Sequence, residues 1–566
     1  LPTAQHKAGL AGLVLQVESM HVRGLPPESI PRVELTAPTT AEATFTELSL
    51  RGLFDDLYDA RPAQVESPTR WPGATPLAER EKPDPNGGGG KPRRVFVYEV
   101  VEPRGHFLRQ FTDDGREAWH KLWRNMLWAI PRSRPMTRLP FNNRAEGKTS
   151  GEGESAWAEL LAAEKARAKG ELRTCEVAGA ILLGAQAASA ESVPFRDRSE
   201  HALLLHFWQL TARVLVPEHL ADDGGREFVG YVLAVPEVAD LRRFCRLYKQ
   251  SLAKLGTKLS GYRPAEAVIS LPAQGALEFM EALGRLAGET ASAEHSEVAR
   301  TLAGVEFFHL VKIGNNVKTA SGGRVPARPG LLREYGAIKQ TTRNPVFRQA
   351  RLRGMLQGTS WYVEFATVMA ERDWPLFVRS ERTPRTIPSF AWDATARFHA
   401  MMRNEQTRKA DTVSNAPPAD RAASLETLIY RLVRTYVRAK TEQKSGVTYA
   451  SFKDRKVKGP SGRERVDYPR AYTEAQEKVC ADLFLGMRSR HDDEFVSYFT
   501  GTIGSVAQGR NLSEEDDFRV IATALLDEQG RRDVKTLAML AVAAASYAPN
   551  VRAEDEELTD AKESAR

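Results

Sequence analysis

The strongest constraint on the fold lies in residues 228–311, where strand and helix patterns alternate along the chain. Phe228–Val235 is rich in β-forming residues, and apolar residues recur at helical spacing across 241–255. Ala265–Leu271 is typical of a second strand, a second helix pattern follows it, and Val305–Val311 is typical of a third strand. Strands and helices in this order predict a mixed α/β core.

The C-terminal part of the chain carries an apolar stripe at helical spacing. Its members are Leu425, Leu428, Ile429, Leu432, Val433, Tyr436 and Val437. They cover one face of a helix, and Arg431, Arg434 and Arg438 fall on the opposite face. Further helix patterns follow near 471–500, 514–528 and 531–547. The sequence therefore predicts an α+β protein, with an N-terminal mixed α/β body that carries long basic loops and an all-α C-terminal helical bundle.

Segments poor in apolar residues suggest where the domains divide. Residues 62–94, rich in Pro, Gly and charge, are expected to form a flexible surface insertion. A second such segment near 404–424 marks the expected domain boundary. We therefore expect an α/β body over 1–410, a helical bundle over 425–550, and an acidic, disordered tail over 551–566.

The charge of the chain is unevenly distributed. Its 566 residues include 80 Lys and Arg against 73 Asp and Glu, a formal net charge of +7. The run Glu554-Asp555-Glu556-Glu557 places part of the negative charge near the end. The positive charge elsewhere is therefore more concentrated than the net value suggests, which favours an anionic partner.

The cysteines and the apolar runs indicate the compartment. Cys175, Cys245 and Cys480 are far apart, which argues against a disulfide framework and favours a reducing cytoplasm. The chain has no run of about 18 apolar residues, so no membrane span is expected. The first residues lack the charged and apolar regions of a signal peptide.

Motifs for catalysis are weak. Gly147-Lys148-Thr149 lacks the earlier glycine and the preceding strand of a phosphate-binding loop. His491-Asp492-Asp493 resembles the His-Asp pair of metal phosphohydrolases, but no distant His and Asp set accompanies it. We predict no catalytic residue, metal site or cofactor, and a metal-dependent nuclease using His491 and Asp492 is the alternative.

The first candidate binding surface is a segment with ten basic residues and one acid, Glu334. The basic residues are Lys312, Lys318, Arg324, Arg328, Arg333, Lys339, Arg343, Arg348, Arg351 and Arg353. Its start, Lys312–Arg328, is expected to be a loop that leaves the third strand. Asn315 and Asn316 can contact base edges, and the basic side chains can hold phosphates. The candidates are Lys312, Asn315, Asn316, Lys318 and Arg324. A solvated loop is the alternative.

Two further basic segments have the same character. Around Phe141, the candidates are Asn142, Asn143, Arg144 and Lys148, and a solvated loop remains an equal alternative. Between Arg431 and Arg470, twelve basic residues face four acids, with Phe452 and Tyr468 on an expected loop. This composition suits backbone contact with single-stranded nucleic acid, although a solvated interhelical loop is the alternative. The candidates there are Arg431, Arg434, Arg438, Lys453 and Lys456.

Three stretches resemble the large subunit of type I CRISPR Cascade effector complexes, in the I-A/I-B-like branch that includes the Myxan subtype. They are "LPTAQHKAGLAGLVLQVES" at 1–19, "VEFFHLVKIGNNVKT" at 305–319 and "NPVFRQARLRGML" at 344–356. The resemblance implies a subunit without catalytic activity that reads the PAM of a target duplex, helps to open it and guides the displaced strand. It also implies a C-terminal helical domain that resembles the small subunit and lies along the R-loop.

The resemblance further implies partners. They are crRNA, target double-stranded DNA, the backbone, 5′-handle-binding and small subunits of the complex, and a helicase-nuclease recruited on target binding. On the matching stretch, Asn315 and Asn316 are expected to make PAM-proximal contacts, with Lys312 and Lys318 positioning the DNA. Phe141 is our candidate for a wedge that separates the strands. An RNA-binding scaffold that never contacts DNA is a second alternative.

Overall fold

The computed structural model describes residues 1–71, 73–82, 93–109, 135–177, 182–183, 195–220, 225–255, 267–285, 291–313, 316–379, 387–411, 424–458, 464–505 and 515–547. The chain forms two compact units. Unit 1 comprises Leu1–Glu218 and Phe228–Arg333, and unit 2 comprises His219–Glu227 and the chain from Glu334 onward. The α+β class is confirmed, because unit 1 is mixed and the C-terminal unit is helical.

The helices of unit 1 are α1 (Ala4–Val22), α2 (Glu47–Leu57), α3 (His106–Arg109), α4 (Pro135–Ala145), α5 (Glu152–Ala168), α6 (Ser199–Leu204), α7 (Leu241–Leu255), α8 (Gln274–Gly284) and α9 (Ala291–Thr301). Its strands are β1 (Arg32–Ala37), β2 (Thr40–Thr44), β3 (Ala60–Ser67), β4 (Ala78–Lys82), β5 (Arg93–Pro103), β6 (Thr174–Glu176), β7 (Arg196–Arg198), β8 (Arg213–Leu220), β9 (Arg226–Phe228), β10 (Tyr231–Val238), β11 (Val268–Ile269), β12 (Leu302–Ile313) and β13 (Asn316–Pro326). Short 3₁₀ helices span Pro27–Ser29 and Trp208–Leu210.

The main sheet of unit 1 has the strand order β11-β8-β10-β12-β13, and β9 also pairs with β8. All pairs along this order are antiparallel except β11 with β8. The predicted alternation is therefore confirmed as β10, α7, β11, α8 and β12, with α9 added before β12. Smaller sheets pair β1 with β2, β6 with β7, and β5 with both β3 and β4. Strands thus occupy part of 62–94, the segment expected to be an irregular insertion.

Helix α1 packs at the centre of unit 1, and most of its residues are buried. Gly9 and Gly12 explain how closely it approaches the segment around α6. A Cβ added at Gly9 would lie 2.1 Å from the carbonyl oxygen of Leu204, and one at Gly12 would lie 2.1 Å from that of Phe207. The "AGLAGL" pattern of the family-like stretch is therefore required by backbone packing.

The helices of unit 2 follow α10 (Pro329–Thr341), which crosses the division between the units. They are α11 (Pro345–Gln357), α12 (Phe365–Glu371), α13 (Phe390–Asp411), α14 (Leu425–Ser445), α15 (Arg470–Arg488), α16 (Asp492–Tyr498), a π-helix (Phe499–Gly504), α17 (Glu515–Leu526) and α18 (Glu528–Ala545). Two short strands, β14 (Lys456–Lys458) and β15 (Glu464–Val466), form a hairpin, and 3₁₀ helices span Trp374–Leu376 and Tyr449–Ser451.

The apolar stripe of α14 is buried as predicted, from Leu428 to Val437. Ser424 caps the helix by accepting from the N–H of Thr427, and Gly446 ends it with φ +68°. The core that receives the stripe is continuous from Val346 to Ala545. The compact units therefore divide at residue 333, before the expected boundary near 404–424, because α11 to α13 pack on the same core as the later helices.

Candidate nucleic-acid interface

The first candidate surface lies on an antiparallel hairpin rather than on a loop. Strands β12 and β13 pair from Gly304 opposite Pro326 to Ile313 opposite Asn316. The prediction of a loop over Lys312–Arg328 is therefore wrong. Its polar, glycine-rich composition is compatible with β13 because this strand lies at the end of the described sheet, where one face and one edge can remain exposed.

Packing explains the glycines of β13. Gly322 lies opposite Phe308, and Gly323 lies opposite Phe307. A Cβ at Gly323 would lie 3.0 Å from Cε1 of Phe307, so the aromatic ring occupies the space that a side chain would take. The glycines thus accommodate β12, and close approach to a nucleic acid is not needed to account for them.

The basic residues of this hairpin differ in their surroundings. Lys318 is exposed and has no ion pair or hydrogen bond through its side chain with another described residue. Arg324 donates from Nε to Glu237 Oε2 at 2.7 Å and from Nη2 to the carbonyl oxygen of Ala303 at 3.0 Å. Glu237 also pairs with Lys7 at 2.8 Å. Burial opposes ionisation of Glu237, but these two cations hold its pKa below the ordinary value.

The other predicted residues of this surface are placed only by their backbone. Lys312 lies near the end of β12, and Asn316 begins β13. Asn315 lies outside the described residues. The hairpin nevertheless pairs residues within the family-like stretch, because Lys312 is opposite Val317 and Leu310 is opposite Thr319. Paired strands are a more rigid support for their side chains than a free loop.

The second candidate surface is the end of α4 and the turn after it. Its Asn pair lies in the helix and not in the expected loop. Asn142 and Asn143 are helical, and the side chain of Asn143 donates to the carbonyl oxygen of Ser150 at 3.3 Å. Arg144 donates to the carbonyl oxygen of Lys148 at 2.9 Å, and Lys148 pairs with Glu146 at 2.7 Å. These contacts close the turn, so most of its polar groups already have partners within unit 1.

Phe141 is not available as a wedge. Only 7% of the residue is exposed, and its ring lies 5.0 Å from that of Tyr58 in an edge-to-face contact. The wedge assignment is therefore wrong. Adjacency to an Asn pair suggested exposure, but the period of α4 turns the ring toward the interior of unit 1.

The third candidate surface lies in unit 2 and combines a hairpin with a helix. Lys453 and Lys456 are exposed, and Lys456 begins β14. The base of this hairpin rests on a cluster of aromatic rings whose centroids are 4.9 to 6.4 Å apart. The members of the cluster are Tyr449, Phe452, Tyr468 and Tyr472. The expected loop is therefore a short hairpin, and Phe452 is part of its buried anchor.

A cleft of about 450 Å³ opens beside the aromatic cluster. Helices α13, α14, α15 and α18 contribute to it, together with the segments around Tyr449 and Tyr468. Its lining consists of Trp392, Thr395, Ala396, His399, Arg403, Tyr430, Arg434, Val437, Arg438, Tyr449, Tyr468, Tyr472, Gln476, Ala544, Ala545 and Tyr547. Among these described residues, none carries a carboxylate. We call it the arginine-tyrosine cleft.

The structure brings two of the predicted residues together in this cleft. Arg434 and Arg438 lie one turn apart on α14, and both line it, whereas Arg431 does not. Arg438 is paired with Glu442 at 3.1 Å, but Arg434 is exposed and has no ion pair or hydrogen bond through its side chain with another described residue. Arg403 and His399 were not among the predicted residues, because each lies more than 30 residues before Arg434 and no local pattern links them to it.

The titratable groups of the cleft reflect burial more than its positive charge. Burial lowers the pKa of His399, and Arg434 and Arg403 lower it further. Burial raises the pKa of Tyr468 to about 12, with Tyr449 adding to the effect. Burial also raises the pKa of Tyr472 to about 12. At neutral pH the cleft therefore presents neutral phenols and a neutral imidazole beside permanently charged guanidinium groups.

Within the described ranges, no group of three or more His, Cys, Asp or Glu side chains is arranged to hold a metal ion. No described helix combines the length and the apolar composition that a bilayer crossing requires.

Comparison with known families then defines the class. Residues 30–293 match the model of the type I-B CRISPR Cas8b N-terminal domain, and residues 302–545 match that of the Cas8b C-terminal domain. These two domains, matched in that order, define the large subunit of a type I-B CRISPR effector complex. The chain belongs to the Cas8b family of type I-B systems. No curated protein matches it.

Proposed function

We propose that this chain recognises the PAM of a target duplex, helps to start unwinding, and stabilises the R-loop and displaced strand without catalysing a reaction. In the same complex it contacts crRNA and the backbone, 5′-handle-binding and small subunits, in a Myxan-type system of the cytoplasm. It also offers a docking surface to a helicase-nuclease or a transposition partner. The observation that carries the proposal is the match of residues 30–293 and 302–545 to the two Cas8b domains.

The division of labour in RNA-guided recognition supports this function. Guide pairing supplies the long sequence recognition, so the protein need read only a short PAM and hold the sugar-phosphate backbone. Exposed cations on supported elements suit that task. Lys318 in unit 1 and Lys453 in unit 2 are exposed, and each lies on or beside a paired hairpin. Neither needs to reorganise a free loop before it contacts a phosphate.

The β12-β13 hairpin is the proposed PAM-proximal element. Asn315, which follows β12 in the sequence, and Asn316, at the start of β13, have amides that can both donate and accept at base edges. Lys312 and Lys318 would position the duplex through phosphates. The segment of Asn142, Asn143, Arg144 and Lys148 is the weaker proposal, because three of these four side chains have partners within unit 1.

The test uses the assembled complex and PAM-bearing or PAM-scrambled duplexes in mobility-shift titrations. We expect Asn315→Ala combined with Asn316→Ala to reduce discrimination between the two duplexes. Asn404→Ala replaces an exposed asparagine of unit 2 and serves as the control. Unchanged affinity and discrimination in the double variant would refute the assignment of Asn315 and Asn316 to PAM recognition.

The absence of catalysis needs its own test. The purified chain, incubated with Mg²⁺ or Mn²⁺ and labelled DNA, is expected to leave the DNA intact. Robust cleavage that His491→Ala removes would favour the nuclease alternative. Photocrosslinking of the target duplex in the assembled complex addresses the scaffold alternative, which predicts crosslinks from guide RNA to this chain and none from DNA.

A further inference from the structure

The arginine-tyrosine cleft has the features of a binding site for one nucleotide of a single strand. Its volume of about 450 Å³ is within the range of about 300–1,000 Å³ that small-molecule sites occupy. Aromatic side chains from several separate segments line it, and each offers a face or an edge to a planar ring. Every nucleobase has such a ring, so stacking here would not depend on sequence.

The charge in the cleft suits a phosphate. Arg403, Arg434 and Arg438 line it, and no described lining residue carries a carboxylate. The guanidinium of Arg434 in particular has no intramolecular partner among the described residues. By contrast, Arg532 in unit 2 already pairs with Glu528, an acid on the same helix. Arg434 can therefore bind an anion without first breaking an ion pair.

A second, independent observation concerns Gln476. Its Nε2 donates to the carbonyl oxygen of Ala545 at 2.5 Å, which fixes the orientation of the amide. Its Oε1 is then a buried acceptor in the cleft lining with no hydrogen-bond partner among the described residues. Buried acceptors without partners are rare in native proteins, and a small shift of this side chain toward the cleft would let an N–H donor on the edge of a nucleobase supply the missing group.

We propose that the arginine-tyrosine cleft binds an unstacked nucleotide of a single nucleic-acid strand, with the base among the tyrosine rings and the phosphate on Arg434. This site deepens the proposed function and rests on it, because the displaced strand of an R-loop supplies unpaired bases. The exposed Lys453, whose backbone N–H donates to the carbonyl oxygen of the lining residue Tyr449 at 3.0 Å, would extend the contact along the nucleic-acid backbone. A free nucleotide has the same chemistry and is the competing source.

The test measures fluorescence anisotropy of the full chain with a short oligothymidylate and with an abasic strand of equal length. Stacking and hydrogen bonding of one base should make the oligothymidylate bind about tenfold more tightly. Tyr449→Leu should remove this preference and leave the abasic strand unaffected, whereas Tyr449→Phe should retain it. Arg434→Gln should weaken both strands and lower the salt slope by about 0.7. Arg532→Gln is the matched control and should change neither.

Thermal melting checks that each variant is folded. Arg434→Gln is the variant least expected to disturb the fold, because the side chain of Arg434 is exposed and has no partner among the described residues. Equal affinity of the wild-type chain for both strands, or no effect of Arg434→Gln, would overturn the proposal. Tighter binding of deoxythymidine monophosphate than of the strand would assign the cleft to a free nucleotide and overturn the strand assignment. If the cleft variants do not change strand binding while the assembled complex still discriminates the PAM, the cleft assignment is refuted and the proposed function is not.

Discussion

The guanidinium carbon of Arg438 lies 4.6 Å from the ring centroid of Tyr449, joining the second half of α14 to the 3₁₀ turn after it. Glu442 holds the pair, because its Oε1 accepts from Arg438 Nε at 3.1 Å and from the N–H of Tyr449 at 3.0 Å. One carboxylate thus positions an arginine and a tyrosine that both line the arginine-tyrosine cleft. The cleft therefore depends on a contact between segments that are separate in sequence.

Replacing this carboxylate should destabilise unit 2. In Glu442→Ala the two donors lose their acceptor, so we expect the free energy of unfolding to fall by about 1 kcal/mol in urea titrations. Glu442→Gln keeps an acceptor oxygen and should recover part of the loss. Glu528→Ala, which removes an exposed pair within one helix, should change the value by less than about 0.5 kcal/mol. Equal effects of Glu442→Ala and Glu528→Ala would contradict this role.

The two exposed cations of β13 should behave differently. Lys318→Ala is expected to weaken binding of the assembled complex to duplex DNA and to lower the salt slope by about 0.9, the value of one phosphate contact. Arg324→Ala breaks the pair with Glu237, so it should lower the unfolding free energy by up to about 1 kcal/mol with little change in the slope. Titrations at several salt concentrations measure both slopes. A larger change of the salt slope for Arg324→Ala than for Lys318→Ala would show that Arg324, and not Lys318, makes the phosphate contact.

The pH dependence of unit 1 should reflect His206. Burial lowers the pKa of this histidine to about 4, and its Nδ1 lies 3.0 Å from the hydroxyl of Tyr58. Between about pH 4 and pH 6.5 the unfolded chain binds a proton there that the folded chain does not, so stability rises with pH. His206 therefore makes the folded chain about 3 kcal/mol more stable above pH 6.5 than below pH 4. His206→Phe should remove this slope, and parallel pH profiles of the variant and the wild type would disprove it.

In unit 2, Asp393 should make stability depend on pH in the opposite direction to His206. Burial raises its pKa to about 7, although the backbone N–H groups of Arg343 and Asn344 donate to it. The folded chain therefore retains a proton from about pH 4 to pH 7 that the unfolded chain releases, and stability falls as pH rises through this window. Asp393→Asn should abolish up to about 4 kcal/mol of that decline in urea titrations. A decline of the same size in the variant would show that another group causes it.

The close approach of α1 can be tested with two alanine substitutions. Gly9→Ala places a Cβ 2.1 Å from a carbonyl oxygen, so we expect a loss of about 2 kcal/mol or more in unfolding free energy. Gly336→Ala is the matched control, because Gly336 lies in α10 and an added Cβ would have no neighbour within 4 Å. It should stabilise the protein by about 0.5–1 kcal/mol, since alanine favours the helix. Loss of stability at both positions would show that close packing is not the cause at Gly9.

Much of the fold could be predicted locally. The stripe from Leu428 to Val437 is buried because helical periodicity alone determines which face is apolar. The bounds 241–255 match α7, and Val305–Val311 lies within β12. The loop over Lys312–Arg328 was mistaken because the polar side chains of an edge strand resemble those of a loop when its partner strand is not known. The role of each candidate residue in DNA binding stays a prediction.

The sequence by itself determined the α+β class, the apolar faces and the presence of three basic segments, because these depend on residue type and on short periods. The tertiary structure decided which cations are paired and which are exposed. It joined Arg324 to Glu237, turned Phe141 inward onto Tyr58, and brought Arg403 and Arg434 into one cleft. Such contacts join residues distant in sequence, and their free energy depends on long-range packing that local patterns do not specify.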